Sequence, residues 1–249
     1  MLSKHLVTLL GLTSLIVFNP VLSVKAEPQV YRIVGGRASL NLDVGTLSIL
    51  EDIGLTLTSA ESTTPPAPGF EIGSALLPPS SDTNVRGTTF TFLYDDDPYL
   101  YLPLGGAEEL TGNFVFSVDT NKLSGLGTEL MIGNFSNAFD ENFSFFLTDN
   151  LDTNLRIFDV VSSAAPVVDL TSQTFVLEGI ELFLSQEFSD FLINAGATRS
   201  VAGFKFADDL GERSFVLVST PEPSLTVALI LVAGGCIVSL LKKSQKNIQ

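Results

Sequence analysis

The stretch ASLNLDVGTLSILEDIGLTLTS (residues 38–59) decides the fold class. Leu40, Leu42 and Val44 fall on one face, with Asn41 and Asp43 on the other. Leu47, Ile49, Ile53, Leu55 and Leu57 repeat the pattern. A period of two marks strands with one buried face, because successive side chains of a strand point to opposite sides. The rhythm recurs in TTFTFLY (88–94), NFVFSV (113–118), NFSFFLT (142–148), LRIFDVV (155–161), QTFVLEGIELFLS (173–185), SVAGFKFAD (200–208) and RSFVLVS (213–219). These segments are rich in Phe, Val and Thr, which suit strands, and Gly, Asn and Asp turns divide them. The pattern predicts about ten or eleven short strands and no long helices. Such a pattern belongs to an all-β, antiparallel β-sandwich or jelly-roll-like single domain.

One segment breaks the alternation. In SQEFSDFLINAG, Phe188, Phe191 and Leu192 stand at i, i+3 and i+4. Ser185 suits the N-cap, Glu187 the first turn and Gly196 the stop, so a short helix is predicted over 186–195. Residues 61–83 hold five prolines and read as a long surface loop within one domain.

Composition narrows the chemistry. The 249 residues carry a formal net charge of −15. Between residues 27 and 221, eight Lys and Arg face 27 Asp and Glu, a net of −19. Such a surface disfavours nucleic acid, whose binding needs cations to displace counterions. The single His is His5 and the single Cys is Cys236, both in the terminal segments. Between those segments there is no His, Cys or Trp. Ser-His-Asp triads, cysteine nucleophiles, His- or Cys-based metal sites and disulfides are thereby excluded there. Phe becomes the aromatic core filler.

The termini read as transport segments. Lys4 and His5 precede an apolar run from Leu6 to Phe18, which Pro20 ends. At about 1.5 Å per residue that run falls short of a ~30 Å bilayer core. Val24-Lys25-Ala26 offers signal peptidase small or aliphatic residues at its first and third positions. Residues 1–26 are therefore expected to be a signal peptide cut after Ala26. At the other end, Leu225 to Leu241 carries no charge and spans about 26 Å as a helix. Lys242, Lys243 and Lys246 follow it, which places the tail inside and residues 27–223 outside.

Pro221-Glu222-Pro223 stands directly before that run. Two prolines bracketing one residue hold the backbone extended, as a protease cleft requires. This order of Pro-Glu-Pro, apolar helix and basic end resembles the PEP-CTERM sorting signal of bacterial exported proteins. The resemblance covers residues 221–246, although the basic end here has lysine and no arginine. It implies that an exosortase recognises the tail, with Pro221, Glu222 and Pro223 as the signature and Lys242 and Lys243 as the stop. The stretches LTGNFVFSV, LGTELMIGNFS and FSFFLTDN also resemble a group of secreted β proteins that often end in such a tail. That second likeness brings no known activity.

The expected organisation is a signal peptide (1–26), an exported β domain (27–219) and a sorting tail (220–249). The expected role is a non-enzymatic protein of the bacterial envelope or extracellular matrix. It is tethered to the inner membrane for a time, then displayed or released. Its partners are the secretion machinery and signal peptidase, the exosortase and extracellular polysaccharide. A second reading is a carbohydrate- or calcium-binding module built on Tyr94, Asp95, Asp96, Asp97 and Tyr99, where tyrosines stack on sugar and carboxylates bind hydroxyls or calcium. The competing account of that stretch is an acidic hairpin turn with edge-strand tyrosines. A third reading is a carboxylate-based glycoside hydrolase, although no spacing singles out a pair. No cofactor besides calcium is expected.

Overall fold

The computed structural model describes residues 28–96 and 99–218. The cut after Ala26, the Pro221–Pro223 triplet, the Lys242–Lys243 stop and Asp97 lie outside the described residues. Within them the fold is all-β and antiparallel, with two short helices.

Two long strands form its spine. β1 (Gln29–Leu42) and β14 (Lys205–Leu217) pair antiparallel from Tyr31↔Leu217 to Leu42↔Ala207. The sequence reading expected two strands where β14 runs unbroken. The ladder to β1 continues through Asp209, Leu210, Gly211 and Glu212, where polar residues hide the alternation. Backbones approach closely at Gly36, whose φ is 142°. A Cβ there would stand 2.1 Å from the Glu212 carbonyl oxygen.

Further strands extend the sheet on both sides. On one side of β1 lie β3 (Ile72–Ala75) and the hairpin of β4 (Thr91–Asp96) and β5 (Tyr99–Gly105). Beyond β14 come β13 (Thr174–Leu184), β11 (Arg156–Ser162), β10 (Phe145–Thr148), β9 (Ser136–Phe139) and β6 (Glu108–Glu109). β12 (Val167–Asp169) pairs with β13. The sheet curls until its last strand returns to β3. Leu76 bridges Leu110, the Leu77 amide donates to the Glu109 carbonyl at 2.7 Å, and the Thr111 amide donates to the Ala75 carbonyl at 2.9 Å. A second sheet of β2 (Leu55–Ala60), β7 (Asn113–Val118) and β8 (Glu129–Gly133) packs on this one. The Phe114 ring meets Phe206 edge-on at 5.3 Å.

Three expectations need correction. The described residues form fourteen strands rather than ten or eleven: β5 and β8 fall outside the segments read as alternating, and β3, β6, β9 and β12 are only two to four residues long. Segments so short carry too little alternation to be seen. The second correction is α1 (Val44–Ile53), which occupies the middle of the stretch quoted first. The Asp43 carboxylate caps it by accepting from the Thr46 amide at 2.8 Å, and Gly54 ends it at φ 109°. Thr46, Leu50 and Ile53 are its buried residues, a helical spacing that the alternation of Leu47 and Ile49 masked. Third, residues 61–83 are no free loop. Ile72 and Leu76 are buried, Arg37 donates to the Pro65 carbonyl, and the Ala67 amide donates to Ser39 Oγ. The helix expected over 186–195 is α2 (Gln186–Ala195), capped by Ser185 through the Phe188 amide at 3.0 Å.

The interior is aromatic. Phe92 is fully buried, with Tyr101, Tyr31, Phe175 and Phe215 at centroid distances of 5.2–5.5 Å. Phe158 and Phe206 lie 4.7 Å apart. Each such ring removes ~150–250 Å² from water, and each well-angled pair adds about 0.5–1.5 kcal/mol. Phe92→Ala is expected to lower unfolding free energy by about 3–5 kcal/mol in urea titrations. A loss under about 1 kcal/mol contradicts this packing.

Candidate functional site

The hairpin that the second sequence reading takes as a ligand site is described except for Asp97 and Pro98. β4 and β5 pair through Tyr94↔Tyr101, Asp95↔Leu100 and Asp96↔Tyr99, so the acids stand at the hairpin end. Tyr94 is only 3% exposed and presents no face to a sugar, which corrects that expectation for it. Its hydroxyl donates to Asp96 Oδ1 at 3.0 Å. Burial, with that hydrogen bond, pushes the phenol up to about 12. Tyr99 is half exposed, packs edge-on against Tyr94 at 5.7 Å and donates to the Pro166 carbonyl at 2.8 Å. Asp95 is buried.

The other acid-rich turns use their carboxylates internally. Buried Asp149 accepts from the amides of Gly133, Leu151 and Thr153 and from the Thr153 hydroxyl, at 2.7–3.0 Å. Asp208 pairs with Lys205 at 3.0 Å. Among the described residues no three His, Cys, Asp or Glu side chains come together as metal ligands.

A different group of residues converges inside the curled sheet. Arg213 on β14 meets Glu108 on β6 through two hydrogen bonds, Nε to Oε1 at 2.8 Å and Nη2 to Oε2 at 2.9 Å. Both side chains are at most 4% exposed. Arg213 Nη1 also donates to the carbonyls of Arg37 and Glu212. Asn137 on β9 donates from Nδ2 to Glu108 Oε2 at 3.0 Å. Asp209 on β14 accepts from the Ser39 amide at 3.1 Å. These residues, with Tyr101, Ser74 and Ser162, form the polar part of a cavity of about 150 Å³. The rest of the wall is apolar, including Leu40, Phe90, Phe158 and Leu182.

Electrostatics follow from this enclosure. Burial works against the Arg213 charge, but Glu108 and Asp209 outweigh it and raise the guanidinium above its ordinary value. Burial raises the Tyr101 phenol, and Glu108 adds to the effect. For Asp209, burial is the largest cause and Glu108 adds to it, against the opposing pull of Arg213 and the Ser39 amide. The result is a carboxyl raised from 3.8 to about 6.

The sequence reading missed this group. A signal for half of it existed, because Asp209, Gly211, Arg213 and Phe215 alternate along β14, which puts an acid and an arginine on the face that ends in a buried phenylalanine. Glu108 had no such signal, since β6 is two residues long.

Comparisons with family models, with curated proteins and with solved structures find no match. The arrangement must therefore be read from its own chemistry.

Two outcomes are expected. Glu108→Ala leaves the Arg213 guanidinium buried beside a lost partner, and is expected to cost about 3–5 kcal/mol in urea unfolding. A cost near zero contradicts the burial of the pair. Because the folded-state pKa of Asp209 lies above its ordinary value, the native form holds the proton more tightly, and stability falls as pH rises from about 4 through about 6. Asp209→Asn removes that loss while keeping an acceptor for the Ser39 amide. Its Tm relative to wild type is expected to climb between pH 4 and pH 7.5. A difference independent of pH contradicts the shift.

Proposed function

We propose that this chain is an exported bacterial envelope protein with a structural or surface role and no catalytic activity, sorted by its C-terminal tail. Residues 1–26 serve as a signal peptide removed after Ala26. The tail, from Pro221-Glu222-Pro223 through the apolar run to Lys242 and Lys243, is a PEP-CTERM signal that holds the chain in the inner membrane until an exosortase cuts it. The product then stays on the surface or enters extracellular polysaccharide.

One observation supports this reading above the others. The β1–β14 ladder runs from Tyr31↔Leu217 to Leu42↔Ala207, and β14 ends at Leu217, ahead of the triplet. Cleavage at or after Pro221 leaves each of those pairs intact. Among the described residues no helix is long and apolar enough to cross a membrane. The finer architecture we propose is sandwich-like, approaching a jelly roll, with the curled sheet as one layer and β2–β7–β8 as the other. The acid-rich turns favour this role over a calcium module, because Asp149 is committed to backbone amides. The burial of Tyr94 likewise weighs against a sugar platform at the hairpin.

The test is intact-mass analysis of protein from membranes and medium. The native chain is expected to appear without its tail. A Pro221→Ala/Glu222→Ala variant is expected to persist as a heavier, membrane-held form. Identical processing of both, or a native form that keeps its lysine tail, overturns the sorting reading.

A further inference from the structure

The cavity in the curled sheet has a property that the sorting role does not use. Asn137 Oδ1 is buried and has no hydrogen-bond partner, and it is the one such side-chain atom among the described residues. The orientation of the amide is fixed. Nδ2 faces the Glu108 carboxylate at 3.0 Å, and the flipped amide would set oxygen against oxygen. A buried acceptor without a donor is costly, so the site is short of one donor.

Charge restricts what can supply it. Two carboxylates, Glu108 and Asp209, face a single guanidinium. Arg213 already donates to both Glu108 oxygens and to the carbonyls of Arg37 and Glu212. An anionic ligand would therefore meet carboxylates and find its only cation committed. Size and shape restrict it further. A cavity of about 150 Å³ is of the size that accepts one benzene ring. Phe90, Phe145 and Phe158 supply aromatic walls against which a ring packs edge-on or offset. Among the lining residues, Ser162 and Ala164 are the exposed ones, so the way in lies between β11 and β12.

We infer that this cavity binds a small, neutral, single-ring or branched alcohol of phenol size, whose hydroxyl donates to Asn137 Oδ1 while its apolar body fills the Phe- and Leu-lined space. The inference stands apart from the sorting reading. Either can fail without the other, because one is read by ligand binding and the other by mass.

The experiment is a series of far-UV circular dichroism melts of the full-length chain in lipid nanodiscs with phenol, toluene or benzoate. Phenol at ten times its Kd is expected to raise Tm by about 3–6 °C. Toluene, which lacks the donor, is expected to act more weakly, and benzoate not at all. Asn137→Ala is expected to remove the advantage of phenol over toluene. Ala38→Val, which narrows the cavity from β1, is expected to abolish both shifts. The wild-type series decides the matter even if a variant fails to fold. No shift with phenol, or an equal shift in Ala38→Val, overturns the site. Equal shifts with phenol and toluene overturn the role of Asn137, and a shift with benzoate overturns the exclusion of anions.

Discussion

The Arg213–Glu108 pair is the contact on which the shape of this molecule depends. It joins the central strand β14 to β6, the last strand at the far end of the sheet, across the interior. β6 has only two residues, and its ladder partner is β9 alone. Hydrogen bonds over so short a strand do not hold a sheet end in place against the right-handed twist that carries it away. A buried, bidentate ion pair does so directionally, because the guanidinium fork accepts one carboxylate geometry. Against an apolar replacement such a pair adds little net stability, but a single arrangement satisfies it. Arg86 reinforces the same end by donating to the Glu109 carboxylate at 3.0 Å and to the Leu110 carbonyl.

Closure explains where the polar and apolar groups lie. Once β6 meets the end of β3, strands that are distant in order face one another across a common interior. Aromatic rings fill most of it, in a chain with no tryptophan and no disulfide within the described residues. Ring contacts surround Phe92 and link Phe114 to Phe206 and Phe206 to Phe158. Beside Phe114 and Phe158 the sheet encloses residues that packing alone would have excluded: Arg213, Glu108, Asn137 and Asp209.

Much of this is legible in the sequence. β7 and α2 have the bounds that their alternation and caps predicted, and β4, β11 and β13 fall within a few residues of theirs. What escaped has physical causes. α1 hides in a run where apolar residues satisfy both periods, and only the Asp43 cap and Gly54 stop reveal it. The segment 61–83 looked free because prolines dominate it, yet its carbonyls and amides are bonded to β1 side chains, which no local pattern encodes. The polar cluster was half visible in the inward placement of Arg213, while its partner lies 105 residues away on a strand too short to read.

The central claim is that the sheet closes on itself through the seam between β3 and β6. Native-state hydrogen exchange of the Leu77 and Thr111 amides, which form that seam, tests it most directly. The account predicts protection close to that of the β1–β14 amides, with exchange only through global unfolding. Exchange of those two amides on the timescale of exposed turns would mean that the seam is open, and would contradict a closed interior.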